Sequence, residues 1–146
     1  VKTFVEDPNP EETLKKYDAA LLIGDPAFKV GSQFSDLTIY DLSHEWFIQT
    51  GKPFVHAVIA VRPEVELPDG LIDAFQKIKV EGKKRIPEIA KFHSANLDIN
   101  EGVAENYLSN KIIYDLDEKA LEGLKTFQSL CVEKGLIKEK FPLQFL

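Results

Sequence analysis

DAALLIGDPAF, residues 18–28, sets five apolar residues in unbroken succession before Gly24, Asp25 and Pro26. An apolar run without polar alternation predicts a strand covered on both faces, interior to a parallel or mixed sheet. Aspartate followed by proline predicts a helix start. The Asp25 carboxylate would accept orphan backbone N–H groups as N-cap while Pro26, which has no N–H, takes the first helical position. A cap of this kind stabilises a helix by about 1 kcal/mol. The same point, just past the carboxyl end of a buried strand, is where open α/β sheets bind ligands. Asp25 therefore has two readings, cap and ligand contact, and they do not exclude each other.

Working outward, the first third of the chain alternates short strands and short helices. VKTFVE (1–6) alternates apolar side chains and stops at the turn cluster Asp7, Pro8, Asn9, Pro10, after which EETLKKY (11–17) predicts a brief helix with acids at its positive end. DLTIYDL (36–42) is a further strand candidate. SHEWFIQTG (43–51) predicts a short helix closed by Gly51, with Pro53 just beyond. FVHAVIAV (54–61) has no charge and ends before Arg62 and Pro63, and is read as a buried strand.

From Pro68 onward the pattern is helical. Leu71, Ile72, Phe75 and Ile78 recur at helical spacing, and the pattern resumes through Ile86, Ile89, Ala90 and Phe92. Gly82 and Pro87 are expected to separate two helices. Another helix is expected over 100–109. The last, over 117–134, sets Ala120, Leu121, Leu124, Phe127, Leu130 and Cys131 on one stripe and stops at Gly135. Strands alternating with helices, then helices alone, point to an α/β sheet layer covered by helices.

Composition bounds the function. With 146 residues, 44% of them hydrophobic, the chain is about one ordinary domain, long enough to bury roughly 70% of its unfolded surface. Its formal charge of −6 opposes nucleic acid as a partner, since Lys83, Lys84 and Arg85 form the one tight basic cluster. No apolar run approaches the roughly 20 residues of a membrane span, and VKTFVEDPNP has neither the basic start nor the apolar core of a signal peptide. The single cysteine, Cys131, cannot form an internal disulfide and fits a reducing compartment.

Motifs for several chemistries are absent. His44, His56 and His93 lie too far apart for a local ligand pair, and there is no HExxH, CxxC or Walker-type loop, so neither a metal nor a nucleotide cofactor is expected. Ser32 in VGSQF lacks the second glycine of a nucleophile elbow. Cys131 falls on an apolar stripe, where packing rather than thiolate chemistry is expected. His56, between Val55 and Ala57, is read either as a core or cleft-wall histidine hydrogen-bonded to a neighbour or as a ligand contact. Trp46, the only tryptophan, is read as a packing anchor on its short helix.

DAALLIGDPAF, YDLSHEWFIQTGKPFVHAVIAVRP and YDLDEKALEGLKTFQSLCVEKGLI, in this order, closely resemble the chorismate dehydratase family of the futalosine route to menaquinone. The resemblance spans essentially the whole chain. It implies a fold like that of type II periplasmic binding proteins, in which two α/β lobes joined by crossover strands hold the ligand in a cleft. It implies a cytoplasmic carbon–oxygen lyase that removes water from chorismate to leave 3-[(1-carboxyvinyl)oxy]benzoate. Members of the family run to nearly twice this length, and the matched segments belong to their second half. Residues 1–50 then close lobe two, residues 51–146 return to lobe one, and the partner is a missing N-terminal lobe or a copy of it. The chain is accordingly expected to be a fragment, one component of a split protein, or a form that has lost a lobe.

Carried onto this sequence, the resemblance makes Ile23, Gly24, Asp25, Phe54 and His56 the candidate substrate contacts, with Asp25 the candidate catalytic group. At His56 the family often has an aromatic or apolar residue, so a catalytic role there is not inherited. Chorismate carries two carboxylates. An ionised Asp25 about 4 Å from one of them meets a repulsion of about 4 kcal/mol at an effective dielectric of about 20. Asp25 is therefore expected to face the ring hydroxyl, to be neutralised by burial, or to spend its charge on the helix end. The substrate's own enolpyruvyl carboxylate is the candidate base for the ring proton, leaving the protein to hold geometry and exclude water. Two alternatives stay open: the dihydroxynaphthoate-forming enzyme of the same pathway, and a non-catalytic lobe that grips a small carboxylate.

Overall fold

The structure, a computed structural model, describes residues 9–33 and 36–144. Its described residues divide into two compact units. One gathers the chain up to Ile39 with Val80–Ile112, and the other gathers Tyr40–Lys79 with the chain from Ile113.

In the first unit, α1 (Pro10–Leu14) starts at Asn9, whose side chain accepts the N–H groups of Glu11 and Glu12 at 3.0 and 3.4 Å. The helix expected over 11–17 is thus cut to five residues. Helix α2 (Asp25–Gln33) follows. Further along, α4 (Leu71–Lys84) begins among residues of the second unit and ends in the first, running through Gly82 without a break. The break falls instead at Arg85, and α5 (Ile86–Leu97) then carries Pro87 in its first turn, where a missing N–H costs nothing. Asn100 caps α6 (Glu101–Asn106), accepting the Val103 N–H at 3.3 Å. One π-helical turn, Tyr107–Lys111, extends it.

Helices α5 and α6 pack on each other. Ile86, Ala90 and Ser94, four apart along α5, are buried, as is Ala104 of α6. Phe92, expected on that stripe, is 67% exposed; the buried line at four-residue spacing leaves it on the opposite side of the helix. An edge-on ring contact between Phe28 and Tyr107, with centroids 4.7 Å apart, adds to the unit.

In the second unit, α3 (Leu42–Thr50) lies within a residue of its sequence expectation, and Gly51 closes it in the left-handed conformation at φ +67°. Helix α7 (Glu118–Glu133) is capped by Asp117, which accepts the Ala120 N–H at 2.8 Å. Its end follows the expected stop, with Gly135 at φ +69° and the Leu136 N–H returning to the Cys131 carbonyl at 2.8 Å. Lys79 of α4 forms an ion pair with Asp115.

The sheet is the major departure. The strands expected over 20–24, 36–42 and 54–61 are not formed, and no β-ladder occurs among the described residues. The strand expected over 1–6 lies outside the described residues. Residues 54–61 share no backbone hydrogen bond with any other described segment. Expected to be interior, these runs are open instead: Leu21 and Ile23 are 79% and 89% exposed, Ile59 75%. The physical reason is that a strand requires a neighbour to receive its N–H and C=O groups, and the described residues supply none. The apolar side of α4 is uncovered too, with Ile72, Phe75 and Ile78 exposed.

Candidate functional site

The second unit brings together the largest group of sequence-selected side chains. Its construction begins at Asp41, whose carboxylate accepts the N–H groups of Ser43 and His44 at 2.9 and 3.2 Å and so fixes the first turn of α3. At the other end, the Thr50 hydroxyl donates to the Trp46 carbonyl at 2.8 Å and accepts the Lys52 N–H at 3.2 Å, steering the chain out of the helix. Residues 52–56 are then held against α7. Gly123 lies so close to the Pro53 carbonyl that a Cβ there would overlap it. The Lys52 ammonium donates to the Thr126 hydroxyl at 2.8 Å, while that hydroxyl donates to the Glu122 carbonyl.

These constraints assemble an aromatic cluster. Trp46, Phe54 and Phe127 meet edge to face, with centroid separations of 5.5, 5.9 and 5.3 Å. Each such pair is worth about 0.5–1.5 kcal/mol beyond area burial. The reading of Trp46 as a packing anchor is met. Its indole Nε1 is buried without a hydrogen-bond partner among the described residues.

His56 stands at the edge of the cluster. Its ring packs edge-on against Phe54 at 5.1 Å, and its Nε2 lies 2.9 Å from the Ser43 hydroxyl. The hydrogen-bonded neighbour expected for His56 is therefore Ser43, while the exposure of the ring sets aside the reading of His56 as a core residue. Sequence reasoning passed over Ser43, because a serine in the first turn of a helix carries no mark of a partner thirteen positions away. The exposed imidazole beside an aromatic face can offer a polar hydrogen to a planar, anionic ligand.

Ile23, Gly24 and Asp25 lie in the first unit. Gly24 adopts φ +72°, and its carbonyl accepts the Ala27 N–H at 3.0 Å. The residue whose carbonyl takes that first bond is the cap, so Gly24 occupies the place expected for Asp25. Asp25 is instead the first helical residue, and its exposed carboxylate makes no hydrogen bond among the described residues. The left-handed turn at Gly24 begins the helix one position earlier than the Asp-Pro signal implied. Asp25 still favours the positive helix end through its charge.

The remaining candidates have ordinary surroundings. Lys84 and Arg85 of the basic cluster pair with Glu81 and Glu88 at 2.7 and 2.9 Å. Cys131 is a half-buried free thiol on α7. Among the described residues no group of three or more His, Cys, Asp or Glu side chains is placed to hold a metal, and no helix is long and apolar enough to cross a membrane.

Comparison with known proteins places the chain. No solved structure matches it. It is 34% identical over 131 residues to a chorismate dehydratase of Thermus thermophilus, covering 80% of this chain and 48% of that protein. The chain thus spans about half the length of the curated relative it matches. A family model described as menaquinone biosynthesis matches residues 1–133. With that match running from residue 1 through the last turn of α7, the chain belongs to the menaquinone biosynthesis family.

Proposed function

We propose that this chain forms one half of a cytoplasmic chorismate dehydratase, a hydro-lyase that converts chorismate to 3-[(1-carboxyvinyl)oxy]benzoate. The observation that carries the reading is the 34% identity to a protein of that name over most of this chain. The uncovered apolar surface supports the need for a second half. An uncharged segment such as 54–61, with Ile59 75% exposed, is stabilised only when another segment takes up its backbone groups and side chains. The complementary lobe supplies that cover, and the completed protein has the α/β, type II periplasmic-binding-protein-like fold. In it, residues 1–50 close lobe two and residues 51–146 return to lobe one.

Water loss from chorismate removes a ring hydroxyl and a ring proton, and the ring becomes aromatic. The substrate's enolpyruvyl carboxylate takes the ring proton and passes it to the departing hydroxide, which leaves as water, so the protein's task is to hold this conformer and exclude bulk water. Asp25, whose carboxylate is unengaged among the described residues, accepts a hydrogen bond from the ring hydroxyl. It faces away from the substrate carboxylates, since about 4 kcal/mol of repulsion opposes the reverse arrangement at about 4 Å and an effective dielectric of about 20. Ile23 and Gly24 directly precede Asp25 in the chain.

The test is to incubate the chain, alone and with a polypeptide corresponding to the half of the relative that it does not cover, with chorismate and to follow the ultraviolet absorbance of the aromatic product. Product from the combined halves alone is the expected result. If neither sample forms it, the dehydratase reading fails.

A further inference from the structure

We infer that Asp69 is a site of spontaneous backbone modification: its side chain condenses with the Gly70 amide to a succinimide, which water opens chiefly to an isoaspartyl link. The inference is independent of the dehydratase reading. Asp69 is the one aspartate of the chain followed by glycine, and no asparagine is followed by glycine. Ring closure requires the next residue's amide nitrogen to reach the side-chain carboxyl carbon, and glycine, without a Cβ, obstructs that approach least. The fold leaves the pair open. Asp69 and Gly70 are both exposed, in a turn just ahead of α4. Among the described residues the Asp69 carboxylate makes no hydrogen bond or ion pair, and the Gly70 N–H meets no acceptor. Gly70 stands at φ +75° with nothing within 4 Å of where a Cβ would lie, so the space beside its backbone is free.

The chemistry needs water alone. The Gly70 nitrogen attacks Asp69 Cγ, a C–N bond forms, and one carboxyl oxygen departs as water with the amide proton and the carboxyl proton. Water then adds to either imide carbonyl. Addition at Cγ restores aspartate, while addition at the main-chain carbon leaves the backbone running through Cβ. To close the ring, Asp69 must turn about its Cα–C bond, which breaks the hydrogen bond from the Leu71 N–H to the Pro68 carbonyl at 3.1 Å. An exposed turn of this kind opens at little cost. The isoaspartyl link adds a carbon to the backbone between Pro68 and Gly70, so that bond is not remade. The bond from the Ala74 N–H to the Gly70 carbonyl, at 2.9 Å, lies beyond the change and keeps the first turn of α4.

The experiment ages the chain, alone and with the complementary half, in neutral 18O-labelled water beside a synthetic peptide of residues 64–74, and locates the label by mass spectrometry. Each opening of the imide fixes one labelled oxygen at residue 69. Label is expected at Asp69 and not at Asp73, which precedes Ala74, and its rate in the protein is expected within about tenfold of the peptide's, because the turn opens so readily. The aged protein is expected to resist an aspartate-specific protease before residue 69 while it is still cut before Asp73. Asp69→Glu, which keeps the charge but would need a six-membered ring, is expected to abolish the label. Label no greater at Asp69 than at Asp73, label retained in Asp69→Glu, or a rate in either protein sample more than about tenfold below the peptide's overturns the inference.

Discussion

Gly123 of α7 and the Pro53 carbonyl lie in such close apposition that a methyl group at position 123 would overlap the carbonyl oxygen. The helix can approach residues 52–56 only because it has no side chain there. Gly123→Ala is therefore expected to destabilise the protein by about 1–3 kcal/mol, the range for overpacking a filled site. That exceeds the gain of about 1 kcal/mol that alanine brings to a helix interior. A lower urea midpoint with an unchanged m-value is the expected signature; an unchanged midpoint would show that α7 can retreat at no cost.

Gly51 tests a different source of strain. At φ +67° it closes α3, and nothing lies within 4 Å of where its Cβ would stand, so any cost of substitution arises in the backbone alone. Gly51→Ala is expected to lose about 1 kcal/mol, while Gly51→Asn loses less because asparagine tolerates left-handed backbone. Equal losses in paired thermal melts would contradict this origin.

The ease with which α3 and α7 are read from sequence, against the failure of every tested strand, follows from the range over which each is determined. Gly51, Asp117 and Gly135 act on backbone groups within a few residues of themselves, so the ends of these helices are written locally. Residues 20–24 and 54–61 have the composition of buried strands, but strand formation depends on a neighbour that their own sequence does not contain. Asp25 illustrates a finer limit. Asp-Pro correctly signals a helix start, yet the left-handed Gly24 moves the cap one residue back. His56 is legible as a histidine with a neighbour, whereas Ser43 is not, because their contact across thirteen positions depends on residues 52–53 being held against α7.

Asp25→Asn separates binding chemistry from stability. The Asp25 carboxylate has no hydrogen bond among the described residues, and loss of its charge at the helix end costs at most about 1 kcal/mol. If it positions the ring hydroxyl, turnover of chorismate by the assembled halves should fall about tenfold, because the asparagine oxygen still accepts that hydrogen bond but without the charge that strengthens it. Steady-state rates for the two proteins decide it, and unchanged turnover removes any role for the Asp25 charge with substrate.

Glu12 and Lys15 give a pH signature confined to α1. The Lys15 ammonium, 2.6 Å from Glu12, holds the Glu12 carboxyl below the usual glutamate range, first through its hydrogen bond and then through its charge, and Lys15 is raised in turn. A carboxyl lowered in the folded state stabilises above the unfolded midpoint, and that contribution fades as pH falls through the folded midpoint. Lys15→Ala should move the Glu12 carboxyl resonance midpoint upward in an NMR titration. Because the pair is exposed, global stability should change little; a midpoint that stays low would assign the shift to another group.

The indole of Trp46 gives the protein an optical gauge. It is the one tryptophan of the chain, so emission arises from a single place. That place is one ring away from the imidazole, since Trp46 touches Phe54 and Phe54 touches His56. Its buried N–H, without an acceptor among the described residues, leaves the excited-state dipole with no fixed partner. An acceptor brought to the indole by the complementary half would shift the emission to longer wavelength, and a charge arriving at His56 would change its intensity. Assembly and ligand entry can then be followed separately, by colour and by brightness, without label or turnover.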